Sequence, residues 1–356
     1  MTIVLFIIVL AFLILVHELG HFWAAKRAGV RVEEFGIGFP PRLWGLKRGE
    51  TFYSINLIPF GGFVKMLGEN TLEGGLADKG SLATKSRLVQ AGVLVAGVVA
   101  NFLIAWLLLS AALMIGLPAA VGTAPAGLEV TNPILMITSV QPGSPAETAG
   151  LKPGDEILSA VTPDEFVGGI SSAGEDKVMV TVKSASEEIA REVMIQPEVG
   201  LIAEGVPGIG VGVDLVGVAK AGPLTALWQG LLFTLRLVGL IVTGFFTLIK
   251  EAILGETNVV KSLVGPIGLA GLVGDAQTIG LGYLLAFVAF ISVNLAVLNL
   301  IPFPALDGGR LLILAIEGTI DKTLPAKLVG YLNLIGFVLL ISLMLAVTYG
   351  DLLRLF

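Results

Sequence analysis

The stretch Val16–His21, VHELGH, puts two histidines and a glutamate at the end of an apolar run that begins at the first residue. Positions i and i+4 share one face of a helix, so His17 and His21 can both present an imidazole to a single ion, with Glu18 beside it as a base. In this H-E-x-x-H arrangement the glutamate takes a proton from water activated by zinc as that water attacks a carbonyl. The other reading is a chance match, or histidines that only hydrogen-bond a neighbouring helix. These are the only two histidines in the chain and both fall in this motif, which weighs against it.

A hydrolytic zinc usually has three protein ligands and one open position. The chain has no cysteine and no third histidine, so the third ligand has to be a carboxylate. The candidate is Asp307, in NLAVLNLIPFPALDGGR, where Pro302, Pro304 and the Gly308-Gly309 pair break an otherwise charge-free helix. A broken helix at membrane depth is expected around a cavity or a site. On this stretch alone, a loop aspartate capping the next helix is an equal reading. Glu317 is the other carboxylate near a span, and it lacks the helix-breaking context.

The elements that must hold these residues are membrane helices. The 356 residues are 55% hydrophobic and 14% charged, with a mean hydropathy of +0.91, which excludes an ordinary soluble domain. The net charge of −6 comes with no basic, aromatic-interleaved patch, so nucleic acid is set aside. A spanning helix needs about 20 apolar residues. Five stretches qualify: Thr2 to Ala25, Leu88 to Leu117, Pro223 to Ile249, Ala276 to Leu306 and Leu328 to Gly350. The first lacks a basic n-region and carries Glu18 after its apolar run, so it reads as a retained anchor rather than a signal peptide. The third holds Arg236 at its middle, which is costly in lipid.

Charge sets the orientation. Lys26 to Arg87 holds ten Lys/Arg against six acids, and Pro118 to Thr225 holds five against fourteen. The first loop is therefore cytoplasmic and the second outside. His17 lies about nine residues from Lys26, roughly 14 Å along the helix, within the membrane. If all five stretches span, Asp307 ends on the outer side, away from the histidines. If the third does not span, Asp307 meets them, and Arg310, Lys322 and Lys327 become cytoplasmic. The expectation is thus four spanning helices, with Pro223 to Leu254 lying on or dipping into the outer leaflet.

HELGH, GGFVKMLGE in the following loop, VAGVVANFLIA in the second helix and ISVNLAVLNLIPFPALDGGR together resemble the bacterial site-2 proteases of the RseP type, over almost the whole chain. These are intramembrane zinc metalloproteases that cut single-span substrates during transmembrane signalling. The resemblance implies that His17, His21 and Asp307 bind Zn2+, that Glu18 is the catalytic acid/base, and that Asn294, Asn299 and Pro302 lie near the substrate path. It implies a bacterial cytoplasmic membrane, with the active site toward the cytoplasmic side. Substrates would be an anti-sigma factor, a signal-peptide remnant or another single-span protein. One departure is visible, since the family often has Gly-Pro where this chain reads Gly97-Val98.

In the outer segment, ITSVQPGSPAETAGLKPGDEILSA reads as a strand, a turn, a small helix and a second strand. KVMVTVKS and AREVMIQPEV add strands, and PDEFVGGISSAG a short helix weakened by Gly168 and Gly169. It resembles a PDZ domain, acting either as a peptide receptor by strand addition or as a size filter. In the cytoplasmic loop TFYSINLI alternates as a strand does, and the family implies a membrane-dipping β-hairpin there; an exposed edge strand can hold an unwound substrate.

The fold class expected is a polytopic α-helical membrane protein with a membrane-associated β-hairpin and one extracytoplasmic α+β PDZ domain. Its parts are the first helix (1–25), the cytoplasmic loop (26–87), the second helix (88–117) and the PDZ domain (118–219). An interfacial helical segment (220–275), a third spanning helix with the LDG motif (276–310), and a loop with the fourth helix (311–356) follow. The competing function is a non-catalytic membrane scaffold or metal-handling protein, which has no need of Glu18.

Overall fold

The computed structural model describes residues 2–69, 78–122, 128–184, 189–201, 206–255 and 265–355; 70–77, 123–127, 185–188, 202–205, 256–264 and the two terminal residues lie outside the described residues. In chain order the elements are α1 (Thr2–Arg27), β1 (Val32–Arg48), β2 (Thr51–Met66), α2 (Arg87–Ile115), β3 (Leu117–Ala120), β4 (Val130–Val140), α3 (Pro145–Thr148), β5 (Glu156–Ile157), α4 (Pro163–Ala173), β6 (Val178–Lys183), β7 (Arg191–Ile195), β8 (Glu198–Val199), β9 (Pro207–Gly208), β10 (Val211–Ala219), α5 (Pro223–Ile253), α6 (Pro266–Ile279), α7 (Leu281–Leu300), α8 (Asp307–Ile320) and α9 (Ala326–Leu355). Among the described residues five helices, α1, α2, α5, α7 and α9, are long and apolar enough to cross a membrane. The chain is a multi-pass membrane protein. Large exposed side chains such as Leu240, Phe246, Leu334 and Phe337 are what lipid-facing helix surfaces carry.

Two compact units divide the chain. The first comprises Met1–Leu109, Leu231–Gly274 and Phe287–Phe356. Here α1 and α2 lie backbone to backbone at Gly20, where a Cβ would collide with the carbonyl of Ala96. A side chain at position 20 would force the helices apart. Ser292 Oγ of α7 donates to the Asn101 carbonyl at 2.8 Å, a bond that satisfies a hydroxyl where lipid offers no partner.

The expected β-hairpin is present and folds back on itself. Strands β1 and β2 pair antiparallel around Gly49 and Glu50, from Arg48↔Thr51 out to Val32↔Met66. Pro40-Pro41 interrupts β1, since proline supplies no ladder donor. As a result Glu34–Ile37 has partners on both sides, Phe52–Ile55 and Gly62–Lys65, and Gly61–Met66 becomes an outer strand. The hairpin sits on α1 through Phe35, Val64 and Met66, with the Phe22, Phe35 and Tyr53 rings 5.3–6.2 Å apart. Its far end leaves Leu43, Trp44 and Leu46 exposed, an apolar tip suited to lipid.

The fourth apolar stretch is not one helix. Gly280 (φ +136) divides α6 from α7, and α7 stops at Leu300, before Pro302. The Gly308-Gly309 pair, expected to break the helix, instead starts a new one. A Cβ at either glycine would strike the carbonyls of Leu300, Ile301 or Phe303, so both are needed for α8 to begin directly under the loop. The 276–310 segment is thus the end of α6, α7, a loop and the first turn of α8.

The second unit comprises Ser110–Gly230 and Asp275–Ala286. Its six-stranded sheet has the order β3-β10-β4-β5-β6-β7, around a core of Ile137, Leu151, Phe166, Ile170, Val180, Val182 and Ile195. Each expected strand and both small helices are present. Helix α4 forms despite Gly168 and Gly169 because Thr162 accepts from Glu165 N, Glu165 accepts from Val161 N, and Phe166 and Ile170 bury the inner face.

Candidate metal centre

Helix α1 delivers His17 and His21 one turn apart, both almost fully buried. Their Nε2 atoms stand 3.1 Å from each other. Asp307 Oδ2 is 3.0 Å from His17 Nε2 and 3.2 Å from His21 Nε2, so the sequence-predicted third ligand closes the set. Asp307 is not the loop cap that the stretch also allowed: it is the first residue of α8, Leu306 holds the N-cap position, and no side chain caps the helix. Among the described residues this is the one group of three metal-ligating side chains that converges.

The donors fit zinc. Bonds of about 2.0–2.1 Å to nitrogen or oxygen separate tetrahedral ligands by about 3.3 Å, close to the observed triangle. His21 Nδ1 lies 2.8 Å from the Val93 carbonyl, which can only accept; Nδ1 therefore carries the proton and Nε2 keeps its lone pair for the metal. Gly97 lets the two rings pass α2, because a Cβ there would collide with His21 Nε2 and stand 2.7 Å from His17 Cε1. The family's usual Gly-Pro and this chain's Gly97-Val98 share the glycine, which is the part this close approach needs.

A cavity of about 350 Å³ opens on the site, lined among others by Glu18, Gly62, Val64, Glu69, Asn299 and Arg310. Glu18 stands against the outer strand, where a Cβ on Gly62 would be 3.4 Å from its Cγ. Glu18, His17, His21, Asp307 and the outer strand therefore share one cavity. Of the three residues expected near the substrate path, Asn299 lines it. Asn294 returns its amide to the Phe290 carbonyl at 2.9 Å, and Pro302 is in the loop before α8, outside the lining.

Sequence reasoning missed the ion pair that frames the cavity. Arg310 pairs with the Glu69 carboxylate and donates to the Glu69 carbonyl at 2.8 Å, while Glu69 Oε2 accepts from Met66 N at 3.0 Å. The end of the outer strand is thereby tied to the helix that carries Asp307. Both residues lay in motifs already quoted, GGFVKMLGE and LDGGR, but 241 positions apart nothing in the sequence pairs them.

The chain is similar to known proteins over nearly its whole length. The family model described as peptidase family M50 matches residues 5–343. A Clostridium perfringens protein that bears the name of a zinc metalloprotease is 38% identical over 99% of this chain and 98% of its own length. The zinc metalloprotease RasP of Geobacillus kaustophilus is 30% identical over 100% of this chain and 98% of its own length. Protease RseP of Yersinia pestis is 29% identical over 98% of each.

Proposed function

Because this chain belongs to peptidase family M50 and is a zinc metalloprotease of the site-2 protease type, we propose that it cleaves single-span membrane proteins within or beside their transmembrane helix. We assign His17, His21 and Asp307 as the ligands and Glu18 as the acid/base. The observation that carries this reading is the 3.0–3.2 Å triangle of donors with Glu18 in the same cavity. Zinc, when bound, supplies a Lewis acid that polarises the scissile carbonyl and makes water nucleophilic at neutral pH. Glu18 accepts the proton of the attacking water and returns it to the departing amine. Asn299 contacts the substrate from the cavity wall; Asn294 and Pro302 act farther out, through the shape of α7 and its end.

A helical substrate hides its peptide bonds. The outer strand Gly61–Met66 supports a reading in which the unwound segment is laid beside it, in register with Glu18. The sheet and short helix of the second unit support a PDZ-type domain that captures or filters the part of the substrate outside the membrane.

The helix directions support four spans. Asn101 meets Ser292 while Val93 is beside the site formed with Asp307, so α2 and α7 run in opposite directions. An even number of crossings must then separate them. Helix α6, with 14 residues and about 21 Å of rise, is too short to return across a core of about 30 Å. This supports a reading in which α5, although long and apolar enough to span, lies at the outer interface. On this reading the site lies toward the cytoplasmic side of a bacterial inner membrane, and residues 118–219 are extracytoplasmic. Anti-sigma factors or signal-peptide remnants are the substrates this arrangement suits.

The test is cleavage of a model single-span substrate by purified protein, with bound zinc measured. Wild type should cut, Glu18→Gln should keep zinc and be inactive, and Asp307→Asn should lose zinc. A variant at Asp307 that binds and cuts normally would overturn the ligand assignment and the topology with it.

A further inference from the structure

The ring of His21 is oriented by a backbone carbonyl, but among the described residues His17 has no such partner. Its Nδ1 faces the side-chain amide of Asn101, 3.4 Å away, at the middle of helix α2, which carries no charge after Arg87 at its first position. Asn101 is completely buried, and its Oδ1 has no hydrogen-bond partner among the described residues. Its backbone carbonyl already receives Ser292 Oγ, so the contact with α7 does not require the amide. An amide costs several kcal/mol to bury in hydrocarbon unless it is used.

We propose that Asn101 is a positioning residue that holds the His17 ring for the metal by accepting a hydrogen bond from its Nδ1–H. The proposal rests on the assignment of His17 as a ligand. A histidine that binds through Nε2 must carry its proton on Nδ1, and a protonated Nδ1 needs an acceptor. An NH2 group facing it would set donor against donor. The two ends of an asparagine amide are nearly indistinguishable in shape, and turning Asn101 about its last torsion places Oδ1 on Nδ1. One rotation then satisfies the orphaned oxygen and fixes the nitrogen that points at Asp307 and His21. The two histidines are thus set by two different devices on the same helix: the Val93 carbonyl for one and the Asn101 side chain, two turns further on, for the other.

The test compares Asn101→Asp, Asn101→Leu, Asn101→Ala and His17→Ala in the purified full-length protein. Zinc affinity is read by chelator competition, and the ligand field by the visible spectrum after cobalt(II) replacement. Aspartate keeps an acceptor at nearly the same volume, whereas leucine fills the space without one. Asn101→Leu and Asn101→Ala should weaken zinc by about 10- to 100-fold and shift the cobalt bands. Asn101→Asp should restore both toward the parent, a rescue that a purely packing role would not produce. Parental zinc affinity in Asn101→Leu or Asn101→Ala, or an Asn101→Asp as weak as Asn101→Leu, would overturn the proposal. Should His17→Ala keep its zinc, the ligand assignment itself falls; should it lose zinc while Asn101→Leu does not, only the role of Asn101 falls.

Discussion

Adding a single methyl group at Gly97 should abolish the metal site. In Gly97→Ala the new Cβ would overlap His21 Nε2, the metal-facing nitrogen, and lie 2.7 Å from His17 Cε1 and 2.8 Å from His21 Cε1. Reaching ordinary carbon contact at about 3.5 Å requires ~0.8 Å of retreat. Ligand distances at a metal site tolerate only about 0.2 Å. The retreat cannot be taken up by the helices without loss, because moving α2 away stretches the 2.8 Å bond from His21 Nδ1 to Val93 O. A misplacement approaching 1 Å costs about 10²-fold in rate, and loss of a ligand more. Gly92→Ala is the control on the same helix: a Cβ there meets nothing within 4 Å. It should leave zinc and activity unchanged and stabilise the helix by roughly 0.5–1 kcal/mol. The assay is zinc per protein by atomic absorption together with cleavage rate. A Gly97→Ala protein with a full complement of zinc and the parental rate would refute the reasoning.

Glu18→Gln should lower cleavage by about 10²- to 10⁴-fold, the range of acid–base contributions, with zinc content unchanged, as single-turnover kinetics would measure. Breaking the partly buried Arg310–Glu69 link in Arg310→Gln removes charge-assisted hydrogen bonds worth about 1.5–3 kcal/mol. It should speed hydrogen exchange along Gly61–Met66 and slow cleavage while zinc stays bound; exchange identical to the parent would show that the outer strand is held by other contacts. Thr162→Ala should cost about 1 kcal/mol of stability in α4 through loss of its N-cap, with zinc affinity unaffected. Helix-resolved hydrogen exchange reports it.

Much of the site was legible in the chain because its signals are local. The i, i+4 spacing of His17 and His21 is a property of any helix, and the absence of cysteine and further histidine forced a carboxylate as the remaining donor. The strands and short helices of the second unit were equally local, written in alternation and in the turns between them, whereas the cap at Thr162 emerged only in the structure. The break after Leu300 was visible in Pro302 and Pro304, but the role of Gly308-Gly309 was not. Glycines read as helix breakers from sequence alone, whereas here the missing Cβ atoms allow α8 to start against the carbonyls of residues 300–303.

By itself, the sequence determined the chemistry: which residues can ligate, which can move a proton, and that the helices around them face lipid. Only the tertiary structure decided which distant groups serve them. The Val93 carbonyl on His21, the bare face of Gly97, the amide of Asn101 and the Glu69–Arg310 tie are contacts between elements tens to hundreds of residues apart. No local pattern encodes such a pairing, because it depends on how closely two helices approach and in what register. That closeness is set at positions such as Gly20, where two backbones touch.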